Sequence, residues 1–143
     1  MKIPQGSTGF NSEILSMEVI KDIVKKINYP YMPQGNLVEP QVNTNFYRQR
    51  IKNLQNGEAY ELLINAVYPF VALAKSVEYF AIPFIDFPTD LKSKLSGITI
   101  LEKSLLEKKI SETDLELLAE VEKKQLDYWK PKTISEIIFN FFD

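Results

Sequence analysis

Apolar positions along the chain recur mostly at intervals of three and four, the spacing of amphipathic helices. Between Ser12 and Ile27, the positions Ile14, Leu15, Met17, Val19, Ile20, Ile23, Val24 and Ile27 form one stripe. Tyr29-Pro30 closes it, because the residue before a proline is pushed out of the α region. Thr44 or Asn45 can cap a second helix carrying Phe46, Tyr47, Arg50, Ile51 and Leu54, which Asn56-Gly57 breaks. The apolar run from Ala59 to Phe80 predicts a central helix buried on more than one face. Pro69 kinks it or opens a second segment. Aromatic and β-branched residues also gather from Tyr79 to Phe87, but Pro83 and Pro88 weigh against a strand there.

Further along, Thr89 and Asp90 offer a cap for a short helix ending at Gly97, and helical spacing resumes from Ile100 to Ile110. Ser111 opens the clearest helix, running through Leu115, Leu118, Val121, Leu126 and Trp129 to Lys130-Pro131. Thr133 and Glu136 have the spacing of a capping box. Behind them Ile134, Ile137, Ile138, Phe141 and Phe142 form a stripe that suits packing. The fold expected is all-α, a compact bundle of about five to seven helices. It forms one domain over 1–143, with an irregular lead-in over 1–11 and one long loop over 28–44.

Composition supports a folded domain and removes several chemistries. A chain of 143 residues, 45% hydrophobic and 25% charged, can bury a sizeable core. It holds no cysteine and no histidine, so it lacks disulfides, thiolates and the side chain that titrates nearest neutrality. No glycine loop suited to phosphate and no calcium-loop spacing of acids is present, and neither a cofactor nor a metal is expected. The net charge of −2 and scattered lysine doublets argue against a nucleic-acid track. The most apolar stretch, Val67 to Ile85, contains Pro69, Lys75, Glu78 and Pro83, so no membrane span is expected. The first residues lack the apolar core of a signal peptide, which points to the cytoplasm.

Two features suggest contact with another protein. From Glu112 to Glu122 the chain carries Glu112, Asp114, Glu116, Glu120 and Glu122 with no lysine or arginine among them. On one helix Glu112, Glu116 and Glu120 share a face, where like charges destabilise, so local stability does not explain them. The expected loop over 28–44 adds Tyr29 and Tyr31, residue types enriched at interfaces. Asp86 and Asp90 beside Phe84 and Phe87 are a carboxylate pair that could serve an enzyme, but a helix start explains Asp90 and a turn explains Asp86 better, so no enzyme function is expected.

The ending from Tyr128-Trp129-Lys130-Pro131 through Ile137-Ile138-Phe139-Asn140-Phe141-Phe142-Asp143 resembles the tails of small bacterial immunity proteins. Those proteins neutralise toxin domains of contact-dependent inhibition and related polymorphic-toxin systems. The resemblance covers about a tenth of the chain and assigns no residue a role. It implies a non-enzymatic inhibitor that covers the active site of a basic toxin domain. Glu112, Glu116 and Glu120 would steer the partner, and Tyr29 and Tyr31 would anchor it. A structural or assembly subunit of a phage or multiprotein complex is the alternative.

Overall fold

The computed structural model describes residues 1–79 and 81–142. Its centre is a six-stranded sheet, which overturns the all-α expectation. The strands are β1 (Tyr31–Val38), β2 (Phe46–Asn53), β3 (Ala59–Asn65), β4 (Phe70–Ala74), β5 (Phe84–Ile85) and β6 (Thr99–Ile100). The first five run in the order β1-β2-β3-β4-β5 as antiparallel neighbours, and β6 pairs with β4 in parallel. Five short helices surround the sheet among the described residues: α1 (Met17–Lys25), α2 (Thr89–Lys94), α3 (Lys103–Leu106), α4 (Glu120–Trp129) and α5 (Ser135–Ile138).

The helical reading of 46–80 failed because the central strands are covered on both faces. Leu62 and Ile64 of β3 and Val71 and Leu73 of β4 point to one core, with Ile20, Ile23 and Ile27 of the α1 region and Leu91 and Leu95 near α2. Leu63, Ala72 and Ala74 point to the other, with Leu106, Leu118, Leu126, Ile134 and Ile137. A doubly covered strand reads as a continuous apolar run, which periodicity cannot separate from a buried helix. Asn56-Gly57 is accordingly the β2–β3 hairpin and not a helix break. There Gly57 adopts φ +77 and its N–H donates to the Asn53 carbonyl at 2.8 Å. Pro69 lies between β3 and β4, where it interrupts no ladder.

The expected loop over 28–44 contains β1, an edge strand whose pairing with β2 shifts register between Gln34 and Val38. The Gln49 amide fills this bulge by donating to the Gln34 and Gly35 carbonyls at 3.1 and 3.3 Å. Such an irregular edge resists addition of a further strand. Helix α1 begins later than the apolar stripe suggested, because the Ser16 hydroxyl accepts the Val19 N–H and so marks the start. Ile14 is left outside the helix and exposed.

The expected helix from Ser111 to Trp129 is two elements. A 3-10 turn spans Glu112–Leu115, and α4 starts only at Glu120. Each start is held by an acid three residues on. The Asp114 carboxylate accepts the Ser111 N–H at 2.8 Å, and the Glu122 carboxylate accepts the Ala119 N–H at 3.1 Å. The Thr133–Glu136 box is displaced by one residue, since Glu136 takes the Lys132 N–H and Thr133 faces the Ser135 hydroxyl. Phe139 and Phe141 are buried edge-on against Phe46, with ring centroids 5.9 and 5.8 Å apart, so this end of the chain packs as its stripe suggested.

Candidate functional site

The inner side of α4 is fully committed to holding the fold. Leu118, just before the helix, and Leu126 enter the core beneath the sheet. Between them Glu122 is 1% exposed, and no cation is needed to hold its charge. Its carboxylate accepts the Gly6 N–H at 2.8 Å, the Ala119 N–H at 3.1 Å, the Thr8 hydroxyl at 2.6 Å and the Thr8 N–H at 3.3 Å. Four donors compensate for lost water, as a buried charge requires. Gly6 makes this possible by adopting φ +93 where a Cβ would come within 2.8 Å of the Ser12 hydroxyl oxygen. The expected lead-in over 1–11 is irregular but structural, and it fixes which side of α4 looks outward.

Outward the helix carries apolar side chains instead of a uniformly polar surface. Val121 is 40% exposed, Tyr128 is 78% exposed, and Leu117, just ahead of the helix, is about as open as Val121. Phe10, from the segment tied to Glu122, stands beside them at 40% exposure. Phe10, Val121, Lys124, Gln125, Tyr128 and Trp129 line an open groove of about 460 Å³. A second hollow of about 210 Å³ shares Phe10 and Gln125 and reaches Ile14, Val42 and Phe142. The Gln125 side-chain oxygen is buried with no hydrogen-bond partner among the described residues. Lys124 and Gln125 interleave with these apolar side chains, so the groove offers both apolar and polar contact.

The structure distributes the sequence-predicted residues unevenly. Glu112, Glu116 and Glu120 are all exposed, but the break before α4 removes them from a shared helix face. Glu116 pairs with Lys2 at 3.0 Å and Glu120 with Lys123 at 3.8 Å, so part of their charge is met within the chain. Exposed pairs of this kind contribute at most about 1 kcal/mol and compete poorly with a partner's charges. Glu116 and Glu120 directly precede the exposed apolar residues Leu117 and Val121 in sequence. Tyr29 is exposed in the turn before β1. Tyr31 is instead a core residue, 2% exposed, whose hydroxyl donates to the Asp90 carboxylate at 2.7 Å. Burial and that carboxylate both push its pKa up. Tyr31 packs on the α1 side of the sheet and Leu118 on the other, so the predicted tyrosines and glutamates do not form one site.

The remaining acids have structural duties. Asp86 and Asp90 are both exposed, and Asp90 accepts from Tyr31 and from the Leu91 N–H. Asp114 is buried, and the Ser111 N–H and hydroxyl together with the Met1 amino group hold its carboxyl below the ordinary range, against the effect of burial. A carboxyl depressed in the folded state adds stability above its unfolded pKa and loses it as pH falls through the folded value. Acid unfolding should therefore steepen below about pH 4, and Asp114→Asn should flatten that limb. Urea midpoints measured from pH 6 down to pH 2 test this; identical acid limbs in both proteins would contradict it.

Comparison with family models, with curated proteins and with solved structures gave no match. Among the described residues no group of three metal-ligating side chains is assembled, and no helix is long and apolar enough to cross a membrane. The groove residues Phe10, Val121, Gln125 and Tyr128 were missed by the sequence reading, which counted Val121 as an inward position. The signal was present, since apolar residues in and just before this short helix fall into two sets: Leu118 and Leu126 in one, Val121 and Tyr128 in the other.

Proposed function

We propose that the chain is a protein-binding inhibitor of immunity type, which neutralises a cognate bacterial toxin domain in the cytoplasm by covering its active site. The observation that carries this is the exposure of Val121 and Tyr128 on a helix whose inner side is already spent on the fold, with Phe10 lining the same groove. An apolar centre with aromatic anchors and a charged rim is the anatomy of a protein interface. Glu112, Glu116 and Glu120 supply an acidic shoulder suited to a basic partner, and the resemblance of the tail from Tyr128 to Asp143 supports the same class. Such a protein needs no chemistry of its own. Binding energy comes from the groove, and encounter rate and partner choice come from the acids.

Expression of the neighbouring gene product alone should arrest growth, and co-expression of this chain should restore it. A harmless neighbour would remove the inhibitor assignment and favour the assembly subunit. Within a complex, Glu116→Lys should weaken binding about tenfold at low salt and much less at high salt, because screening removes steering by exposed charges. Titration calorimetry at two ionic strengths measures this. Affinity unchanged by both salt and substitution would take the acidic shoulder out of the mechanism.

A further inference from the structure

We propose that the cleft between strand β5 and the C-terminal segment binds a small planar aromatic carboxylate. The proposal goes beyond the inhibitor assignment and does not depend on it. The cavity there has a volume of about 480 Å³, within the range of about 300–1,000 Å³ typical of small-molecule sites. Ala81, Ile82 and Phe84 line it from one segment, and residues between Trp129 and Phe142 line it from the other. Its aromatic surface suits a flat ring. Trp129 and Phe142 are half-buried and stack in parallel, with ring centroids 5.5 Å apart and planes 11° apart. Phe84, Phe139 and Phe141, all buried, add to the same lining. A ring that meets aromatic side chains gains more than its buried area alone gives.

The polar lining gives the sign of the ligand. Lys130 and Lys132 are exposed, line the cavity, and form no ion pair among the described residues. Glu136 is the one acid among the described lining residues, and its carboxylate already accepts the Lys132 N–H. Two ammonium groups thus stand against one engaged carboxylate, although the whole chain carries a net charge of −2. The Ser135 hydroxyl, also in the lining, lies 3.0 Å from that of Thr133. With Thr133 as the donor, the Ser135 proton is left for a ligand oxygen. Lys130 also has an unusual backbone. It ends α4 at φ +51 and ψ +56, a left-handed conformation that glycine adopts most cheaply. A lysine at that position costs stability, and the cavity gives its side chain a use.

Trp129 is the only tryptophan of the chain, so its indole N–H gives one identifiable NMR signal at the site. Titrating the isotopically labelled full chain with naphthylacetate should move that signal, with a Kd of about 1 mM or below for a probe of this size. Naphthylethylammonium, the same ring with a positive group, should bind about tenfold more weakly or worse. Lys130→Gly and Lys132→Gln should each weaken binding of the anion about tenfold, since each removes one charge-assisted donor. Lys130→Gly should unfold in urea no earlier than wild type, because glycine suits that φ, so its lost affinity is not a lost fold. Lys124→Gln, in the α4 groove that Trp129 also lines, should leave the affinity unchanged. An indole signal that stays still up to about 10 mM anion overturns the proposal, and so does equal binding of the cation. Affinity kept by both Lys130→Gly and Lys132→Gln, or lost equally in Lys124→Gln, overturns it as well.

Discussion

Glu122→Ala lowers the folding stability by about 3–5 kcal/mol, the largest effect expected of any single substitution that leaves the hydrophobic core untouched. The substitution removes the common acceptor of the Gly6, Thr8 and Ala119 N–H groups and the Thr8 hydroxyl. Each donor left buried without an acceptor costs about 1–3 kcal/mol, offset in part where the loop loosens and water enters. The alanine also opens a small cavity between α4 and the 4–9 segment. Glu122→Gln keeps the shape and one oxygen, but turns an NH₂ group toward donors, so its loss should fall between alanine and wild type. Equilibrium urea unfolding gives both values. A domain of this size is stable by only about 5–15 kcal/mol, so the alanine variant should be marginal. Two variants as stable as wild type would show that the loop does not rest on this carboxylate.

Asn65→Asp should cost nearly as much, about 3 kcal/mol, with almost no change of shape. Asn65 is fully buried at the end of β3. Its NH₂ donates to the Ser7 carbonyl at 3.0 Å and the Ile138 carbonyl at 2.8 Å, while its oxygen accepts the Val67 and Tyr68 N–H groups at 2.9 and 3.0 Å. A carboxylate there would point an acceptor at two carbonyl oxygens and bury a charge. Protonation restores one donor, so the variant's deficit should shrink as pH falls toward 4. Asn45 and Asn140 extend the same network. Asn45 donates to the Ser7 and Ile138 carbonyls and accepts the Asn140 N–H, and Asn140 donates to the Thr8 carbonyl. Three buried asparagines thus join the two ends of the chain to the sheet, a role open only to side chains that both donate and accept. Thermal unfolding followed across pH checks the prediction; a pH-independent loss would contradict it.

The short elements near the chain ends were the more legible part of the fold. Spacing placed α1 and the packing stripe of Ile134, Ile137 and Ile138, because those elements are covered on one face and their pattern shows it. The sheet was illegible by the same rule. Leu62 to Ile64 is an unbroken apolar run because α1 covers one face of β3 and the C-terminal elements cover the other. Asn56-Gly57 was the available correction, as a hairpin signal between the two runs. Within the acidic stretch, charge alone could not separate Asp114 and Glu122, which face inward, from Glu112, Glu116 and Glu120, which face out. Their position three residues after Ser111 and Ala119 was the distinguishing feature, since acids there cap a helix start. Tyr31 and Tyr29 look alike in sequence but lie on opposite sides of a strand boundary, and only the strand residue meets the core.

The docking face is the central claim, and co-purification tests it most directly. The chain is tagged and expressed with its neighbouring gene product, as wild type and as Tyr128→Glu, and the native mass of what elutes is measured. The account predicts a one-to-one complex for wild type and loss of that complex for the folded variant. A wild-type chain recovered alone, or a complex that Tyr128→Glu leaves intact, would contradict it.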